Sequence, residues 1–145
     1  MMYTSNDILP INKKNQRSIF LAGSMDHKQE GSWREEIIAE FGTNDIFDPT
    51  NTHHDELNTE QMKHHIVWEL GALQQSDLIL LNFLKESKSP ISLVELGMYV
   101  TSNKLIFICP KEFYKSDYVH TLCNKYNTPI FNTLNEAKTL LKNSI

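Results

Sequence analysis

Residues 77–110 read DLILLNFLKESKSPISLVELGMYVTSNKLIFICP and carry the pattern that decides the fold. Apolar runs of strand length stand at both ends, DLILLNF (77–83) and KLIFICP (104–110). Between them, SPISLVELGMYVTSN (89–103) has helical character, with proline near its first turn and a polar stop. Strands that are apolar throughout are typical of parallel sheets buried on both faces. The stretch therefore predicts a β-α-β unit.

The same alternation of strands and helices extends in both directions from this unit. Before it, the predicted elements are a strand SIFLAG (18–23), a helix SWREEIIAEFG (32–42), a short strand DIFDP (45–49) and a helix over 59–75. After it come a helix near 116–126, a short strand TPIFN (128–132) and a terminal amphipathic helix through LNEAKTLLK. Apolar spacing predicts the buried faces of two helices, Trp33, Ile37, Ile38 and Phe41 in the first and Met62, Ile66, Trp68, Leu70 and Leu73 in the second. Five strands alternating with helices predict a mostly parallel, five-stranded α/β sheet covered on both faces.

Length and composition fit one compact domain. The chain has 145 residues, of which 40% are hydrophobic, and this is enough for one core. We expect the polar residues 1–17 to form a loose lead-in or an extra edge segment, and residues 18–145 to form a single domain. The formal net charge is -4, and neither the basic nor the acidic residues form a long block along the sequence. The absence of a basic stripe argues against a binder of duplex nucleic acid.

Targeting, membrane and redox motifs are missing from the sequence. No run approaches the roughly 18 apolar residues that span a bilayer, and the first residues have no sustained apolar segment. Cys109 and Cys123 lack the close spacing of a zinc or dithiol site. We therefore predict a cytoplasmic protein with reduced, structural thiols.

The predicted topology limits where a ligand binds. In parallel sheets of this kind, ligands bind outside the carboxyl ends of the strands, where the strand order reverses. The segments at these ends are Ala22–His27, Phe47–Asn51 and Asn82–Ser89. Candidate binding residues are therefore sought there and at the start of the helices that follow.

Glu95 is the first candidate for chemistry. It is expected one turn into a helix that follows a strand, where the positive end of the helix favours an ionised carboxylate suited to a nucleophile. The alternative is that Ser92-Leu93-Val94-Glu95 forms a capping box, in which the glutamate only closes the helix start. Periodicity alone leaves both interpretations open.

Glu69 is the second candidate, in the sequence His65-Ile66-Val67-Trp68-Glu69-Leu70. An acid between Trp68 and Leu70 is partly desolvated if that face is buried, which would raise its pKa and suit it to donate a proton. The alternative is a solvated helix glutamate paired with His65 four residues earlier. Spacing alone favours this alternative.

The remaining candidates would bind substrate. Gly23 allows a ligand to approach the backbone closely, although glycine after a strand is also common turn chemistry. Asp48 is suited either to accept hydrogen bonds from substrate or to cap its turn, and Phe83 either to stack on a base or to cover the core. The complete set of predicted binding residues is Gly23, Ser24, Met25, Asp48, Trp68, Asn82, Phe83 and Ser89.

The histidines do not form a metal motif. His53 and His54, and likewise His64 and His65, are adjacent pairs, and adjacent residues on a helix point in different directions. No HExxH pattern and no nearby cysteine ligands accompany them. We therefore expect neither a metal nor an organic cofactor.

Several of these stretches together resemble the nucleoside 2-deoxyribosyltransferases, especially their 2-deoxyribosyltransferase-like branch. The similar stretches are IFLAGSM (19–25), WREEI (33–37), FDPT (47–50), WELGALQQSDLILLNF (68–83), SPISLVELGMYV (89–100) and KLIFICP (104–110). The SLVELG segment after a strand is the most specific of them. The resemblance implies a flavodoxin-like doubly wound fold, Glu95 as nucleophile, and Glu69 as the acid that handles the base. It also implies a homodimer or higher homo-oligomer.

The function implied is cleavage of an N-glycosidic bond and (deoxy)ribosyl transfer between nucleobases through a covalent glutamyl-sugar intermediate. Its partners are a nucleoside or nucleotide and a free nucleobase. One alternative ends in hydrolysis of a nucleoside monophosphate or NAD-like nucleotide, because Ser24, Ser87 and Ser89 are suited to a phosphate. Ser89 stands where the family's classical members have a carboxylate that holds the sugar. The other alternative is a non-catalytic nucleotide-binding or sensing module in which Glu95 only caps its helix.

Overall fold

The structure is a computed structural model that describes residues 1–11, 15–25, 32–51 and 53–145. Within these residues the strands are β1 (Met2–Tyr3), β2 (Ile19–Gly23), β3 (Ile46–Phe47), β4 (Leu78–Asn82), β5 (Leu105–Ile108) and β6 (Ile130–Phe131). The α-helices are α1 (Trp33–Phe41), α2 (Thr59–Gln75), α3 (Pro90–Tyr99), α4 (Ser116–Lys125) and α5 (Leu134–Ser144), and a 3₁₀ turn covers His54–Glu56. The fold is α/β and flavodoxin-like, with the strand order β1-β3-β2-β4-β5-β6.

Within the described segments of the chain the sheet has six strands rather than the predicted five. The additional strand is β1, which pairs in parallel with β3 through Met2 with Ile46 and Tyr3 with Phe47. It lies in the polar lead-in, where two residues are too few to show the apolar run that predicts a strand. Met2 and Tyr3 thus form an edge strand of the sheet, and residues 12–14 lie outside the described part of the chain.

The described residues fall into two compact units. Unit 1 comprises Met1–Leu21 and Asp26–Asp77, and unit 2 comprises Ala22–Met25 and Leu78–Ile145. The single domain expected over residues 18–145 stays a prediction. No described helix is both long enough and apolar enough to cross a membrane.

In unit 1, α2 has the predicted bounds and buries Trp68 and Leu73 as predicted, but the rest of its buried face differs from the prediction. Ile66 and Leu70 are 48% and 46% exposed, whereas His65 and Trp68 are each 5% exposed. Ala72 and Leu73 complete the buried face. The buried face of α2 therefore includes a histidine, His65, which a search for apolar residues at helical spacing does not find. In α1, Arg34 is buried together with Trp33, Ile37 and Phe41, while Ile38 is only partly buried.

In unit 2, β4, β5 and β6 form parallel pairs with every residue of β4 and β5 buried. Helix α3 ends at Tyr99, earlier than the predicted end at 103, because Thr101 to Asn103 form a turn in which Asn103 has φ 63°. Cys109 follows β5 and Cys123 lies in α4, and both are buried and free. These thiols belong to the core of the unit, as expected from their sequence context.

Candidate active site

The carboxyl end of β2 meets the carboxyl end of β4 within unit 2. Gly23 has φ 122°, and a Cβ built there would lie 2.0 Å from the carbonyl oxygen of Asn82. The next residue, Ser24, donates its backbone N–H to the same carbonyl at 2.9 Å. A side chain at position 23 would overlap the backbone of β4, so this position requires glycine. Its role in the turn after β2 explains the glycine without a ligand. Asn82 itself is 4% exposed.

Three serine hydroxyls form a continuous hydrogen-bonded cluster at this edge. The Oγ atoms of Ser24 and Ser89 are 2.7 Å apart, and those of Ser87 and Ser89 are 2.6 Å apart. The backbone N–H of Leu84 donates to Ser24 Oγ at 2.9 Å. Ser24 is 1% exposed, whereas Ser87 and Ser89 are partly exposed. We call Ser24, Ser87 and Ser89 the serine cluster; Met25, beside it in sequence, is 37% exposed.

Ser89 also begins the helix that carries Glu95. It is the N-cap of α3 in the left-handed conformation, with φ 44° and ψ 55°, and its hydroxyl makes no capping hydrogen bond. Its carbonyl accepts the N–H of Leu93 at 3.1 Å, and Pro90 is the first helical residue. The Ser89 side chain is therefore committed to the serine cluster instead of to its helix.

Glu95 is the sixth residue of α3, since the helix begins at Pro90. A capping-box glutamate occupies the third position, which here is Ser92, so the capping interpretation of Ser92-Leu93-Val94-Glu95 is wrong. The helix dipole acts mainly within the first turn, and its support for an ionised Glu95 is correspondingly smaller than expected. Glu95 is 6% exposed.

Tyr99 lies one turn after Glu95 on α3. Burial raises the pKa of the Tyr99 hydroxyl above its ordinary 10.0, and the negative charge of Glu95 raises this pKa further. The two side chains are therefore close enough for the charge on one to change the ionisation of the other. Glu95 and the serine cluster are the candidate groups of unit 2.

Phe83 lies in the core of unit 2. It is 1% exposed, stacks on Phe113 at a centroid distance of 4.4 Å, and contacts Phe107 edge-on at 5.0 Å. Protein rings cover this side chain, so the core interpretation fits the structure, and the role of Phe83 in stacking on a base does not.

In unit 1, Glu69 lies beside His65 on α2. The His65 Nε2 and Glu69 Oε2 atoms are 3.4 Å apart, with the two side chains 6% and 19% exposed. The pairing of Glu69 with His65 that the sequence suggested is thus present, but the two side chains are largely buried instead of solvated. The His54 ring meets the His65 ring edge-on at a centroid distance of 5.8 Å.

Trp68 and Asp48 lie at the carboxyl end of β3. The Trp68 ring meets the edge of Phe47 at 6.5 Å and is 5% exposed, which leaves it poorly placed as an open aromatic wall. Asp48 Oδ1 accepts the N–H of Thr50 at 3.0 Å and lies 3.7 Å from Arg34 Nε. Asp48 therefore caps its turn, as one of its two predicted roles requires, and also pairs with Arg34.

Arg34 is a buried polar residue that the sequence analysis missed. Its Nε and Nη2 donate to the carbonyl of Leu21 at 3.4 and 3.3 Å, and its guanidinium lies 4.3 Å from the Trp33 ring centroid. The spacing of Arg34, Ile37 and Phe41 along one helix face was the available signal, since three- and four-residue steps mark a buried stripe.

The histidines of the described segments do not converge on a metal. Across residues 1–11, 15–25, 32–51 and 53–145 there is no group of three or more histidine, cysteine or carboxylate side chains placed to hold an ion. His53 and His54 instead contact the neighbouring acids Glu56 and Asp55 at 3.2 and 3.8 Å. Asp26 and His27, at the end of a predicted binding segment, lie outside the described residues.

A comparison with protein-family models matches residues 16–113 to the family described as nucleoside 2-deoxyribosyltransferase like. The match covers more than half of the chain. The chain belongs to this family. A comparison with curated proteins gives no match.

The part that matches the nucleoside 2-deoxyribosyltransferase-like family contains every candidate residue. It includes β2 to β5, the serine cluster, Glu69 and Glu95, and it ends before α4. The family supports a glycosyl-transfer enzyme acting on nucleosides and nucleobases. Within unit 2 the structure brings Gly23, Ser24, Asn82 and Ser89 to one edge, and within unit 1 it brings Asp48 and Trp68 to the end of β3.

Proposed function

We propose that this protein cleaves the N-glycosidic bond of a nucleoside or nucleotide and transfers the (deoxy)ribosyl group to a second nucleobase, with Glu95 as the nucleophile. The observation that carries the proposal is a carboxylate only 6% exposed in the second turn of α3, where helix capping does not require it. Membership of the nucleoside 2-deoxyribosyltransferase-like family supports the same reaction class.

The reaction is a double displacement. A Glu95 carboxylate oxygen attacks C1′ as the C1′–N bond breaks, and the bonding pair leaves on the base nitrogen, which takes a proton. A nitrogen of the second base then attacks C1′, loses its proton, and releases Glu95 as a carboxylate. The two inversions retain the configuration at C1′. Water in place of the second base gives hydrolysis.

The protonation of the leaving base by Glu69 stays a prediction. Support comes from the burial of Glu69, whose side chain is 19% exposed next to His65. The cytoplasmic location and the homo-oligomer also stay predictions.

The test is a transfer assay with a matched carboxylate control. The wild type, Glu95→Ala, Glu95→Gln and Glu86→Gln proteins are incubated with a deoxynucleoside and a second free base, and the products are separated by chromatography. Glu86 is exposed in the loop after β4 and serves as the control. We expect a new nucleoside from the wild type and the control, and a loss of at least about a thousandfold in both Glu95 variants.

Intact mass spectrometry tests the covalent step. A slowly deglycosylated substrate is expected to add the mass of one sugar to the wild type and nothing to the Glu95→Gln protein. Turnover that survives in both Glu95 variants would contradict the proposal. Binding without turnover, unchanged in Glu95→Ala, would favour a sensing module.

A second candidate is hydrolysis of a nucleoside monophosphate, which the serine cluster favours. Three hydroxyls lie together at one edge of the sheet, and hydroxyl groups suit phosphate oxygens as hydrogen-bond donors. In this case Ser89→Ala raises KM for a deoxynucleotide more than for the matching deoxynucleoside. Ser102→Ala, in the exposed turn after α3, is the control. Equal changes in KM for both substrates would argue against a phosphate at the cluster.

A further inference from the structure

The loop between β4 and α3, residues 84–89, is held by side chains from two other parts of unit 2. At its start, the Ser24 hydroxyl oxygen accepts the backbone N–H of Leu84 at 2.9 Å. At its end, the Tyr114 hydroxyl donates to the backbone carbonyl of Lys88 at 3.0 Å, across 26 positions of chain. Tyr114 thus reaches the peptide directly before Ser89, the N-cap of α3.

This peptide adjoins a residue in an unfavourable conformation. The φ of Ser89, 44°, lies in the left-handed region, which costs energy for a residue with a Cβ. A strained residue keeps its conformation only where surrounding contacts fix it. The serine cluster fixes the Ser89 hydroxyl, and Tyr114 fixes the carbonyl on the amino side of Ser89. The strained residue is therefore held from two sides.

The turn that carries Tyr114 is anchored in the core of unit 2. The N–H of Phe113 donates to the Pro110 carbonyl at 3.1 Å, and the N–H of Ser116 donates to the Phe113 carbonyl at 2.9 Å. The buried Phe113 ring stacks on Phe83, the residue that follows β4, and the Tyr114 ring packs edge-on against Phe113 at 4.9 Å. The Tyr114 hydroxyl is therefore fixed relative to the end of β4.

The exposure of Tyr114 indicates a geometric role for its hydroxyl. The side chain is 50% exposed, so water competes for the hydroxyl and the hydrogen bond adds little to the stability of the fold. The bond does fix the orientation of the peptide from which α3 starts, and α3 carries Glu95 in its second turn. A misplacement of about 1 Å at a reacting group is enough to lower a rate strongly.

We propose that Tyr114 is a positioning residue for the serine cluster and Glu95. Its hydroxyl holds the Lys88 carbonyl, which keeps Ser89 in the left-handed conformation and fixes the first turn of α3. Tyr114 itself does not touch the substrate in this role. Its effect on turnover rests on the proposed function, whereas its hold on the loop is tested without turnover.

Limited proteolysis with trypsin tests the hold on the loop. Trypsin cleaves after lysine, and the loop contains two exposed lysines, Lys85 and Lys88. Cleavage requires local opening, so its rate reports how firmly the loop is held. Tyr114→Phe removes the hydroxyl and keeps the ring. We expect cleavage in the loop, identified by the mass of the fragments, to become about three- to tenfold faster, as for the loss of one hydrogen bond.

Tyr126→Phe is the matched control for this experiment. Tyr126 is 43% exposed, and the amino group of Lys125 lies 5.8 Å from its ring centroid, much as that of Lys115 lies 5.4 Å from the ring of Tyr114. The control therefore makes the same chemical change at a similar tyrosine outside the loop. We expect wild-type cleavage from Tyr126→Phe. The unfolding equilibrium constant of each variant in urea separates local opening from global unfolding.

Glycine at position 89 separates positioning from direct participation in the reaction. Glycine adopts the left-handed conformation without strain, so the start of α3 in Ser89→Gly no longer depends on Tyr114. We expect Tyr114→Phe to lower the kcat of transfer about tenfold in the wild-type background and less than about twofold in Ser89→Gly. A merely structural Tyr114 would leave kcat unchanged in both backgrounds, and one that touches the substrate would lower it equally in both.

The inference is overturned if trypsin cleaves the loop of Tyr114→Phe no faster than that of Tyr126→Phe. It is also overturned if cleavage rises only in proportion to the unfolding equilibrium constant, or if the effect of Tyr114→Phe on kcat is the same in both backgrounds. A wild type without turnover on any nucleoside or nucleotide would instead defeat the proposed function. In that case the proteolysis still decides whether Tyr114 holds the loop.

Discussion

Gly23 closes β2 at a point where a side chain has no space. Its positive φ and the Asn82 carbonyl, 2.0 Å from a Cβ built there, are independent reasons for glycine. Gly97, in the middle of α3, differs in both respects, because a Cβ built there has nothing within 4 Å and its φ is not positive. The two glycines therefore form a natural pair for substitution by alanine.

We expect Gly23→Ala to lower the free energy of unfolding by about 3 kcal/mol or more, since strain and overlap act together. We expect Gly97→Ala to raise it by about 0.5–1 kcal/mol, because alanine is the better helix former. Chemical denaturation of the two variants measures both values. A Gly23→Ala protein as stable as the wild type would show that β2 and β4 do not approach as described.

The pKa of Tyr99 reports the charge of Glu95. Burial and the Glu95 charge both raise this pKa above 10.0. We expect Glu95→Gln to lower the pKa of Tyr99 without returning it to 10.0, because burial remains. Ultraviolet titration at alkaline pH, with Tyr99→Phe identifying the signal among the five tyrosines, gives the measurement. An unchanged pKa would mean that Glu95 carries no charge near Tyr99.

At the scale of the element, α3 begins in a strained way. Ser89 adopts φ 44° although it is not glycine, and its hydroxyl joins the serine cluster instead of capping the helix. Such a conformation costs about 1–2 kcal/mol for a residue with a side chain. Strain of this kind persists when surrounding contacts hold it, and it is concentrated at functional sites.

Two substitutions at Ser89 separate its backbone strain from its hydroxyl. Ser89→Gly removes both, whereas Ser89→Ala removes the hydroxyl and keeps the strain. We expect the glycine variant to be more stable than the alanine variant by about 1 kcal/mol, measured by urea denaturation. If the Ser89→Ala protein is as stable as the Ser89→Gly protein, residue 89 leaves the left-handed conformation once the serine cluster is broken.

At the scale of the whole molecule, buried thiols link stability to alkaline pH. Burial, and to a smaller extent the nearby Cys123, raises the pKa of Cys109 from 9.0 to about 12. Burial alone raises the pKa of Cys123 from 9.0 to about 11. The unfolded chain therefore releases these protons first. The contribution to stability is complete below pH 9 and is lost as the pH rises toward these folded values.

We expect the free energy of unfolding to fall by about 2–4 kcal/mol between about pH 8 and about pH 10.5, from the two thiols together. The double variant Cys109→Ala, Cys123→Ala should start less stable but lose less over this range. Tyr99, present in both proteins, contributes the same alkaline loss to each and cancels in the comparison. Parallel pH curves for the two proteins would contradict buried thiols.

The sequence by itself determined the order of the elements from β2 onward and the family to which the chain belongs. Apolar runs and helical spacing are local properties, so they predicted β2, β4, β5 and the bounds of α2 without knowledge of the partners of any residue. The same stretches identified the family that the match over residues 16–113 confirms. A two-residue strand such as β1 has too little local pattern, and for that reason the strand count was wrong.

Only the tertiary structure decided which side chains meet. Ser24 contacts Ser89 across 65 positions of chain, and Gly23 is fixed by Asn82 of another strand. Likewise, the burial of His65 in place of Ile66, and the stacking of Phe83 on Phe113, depend on neighbours from distant segments. Hydrophobic periodicity records only that a face is buried. What it is buried against follows from packing between segments far apart along the chain.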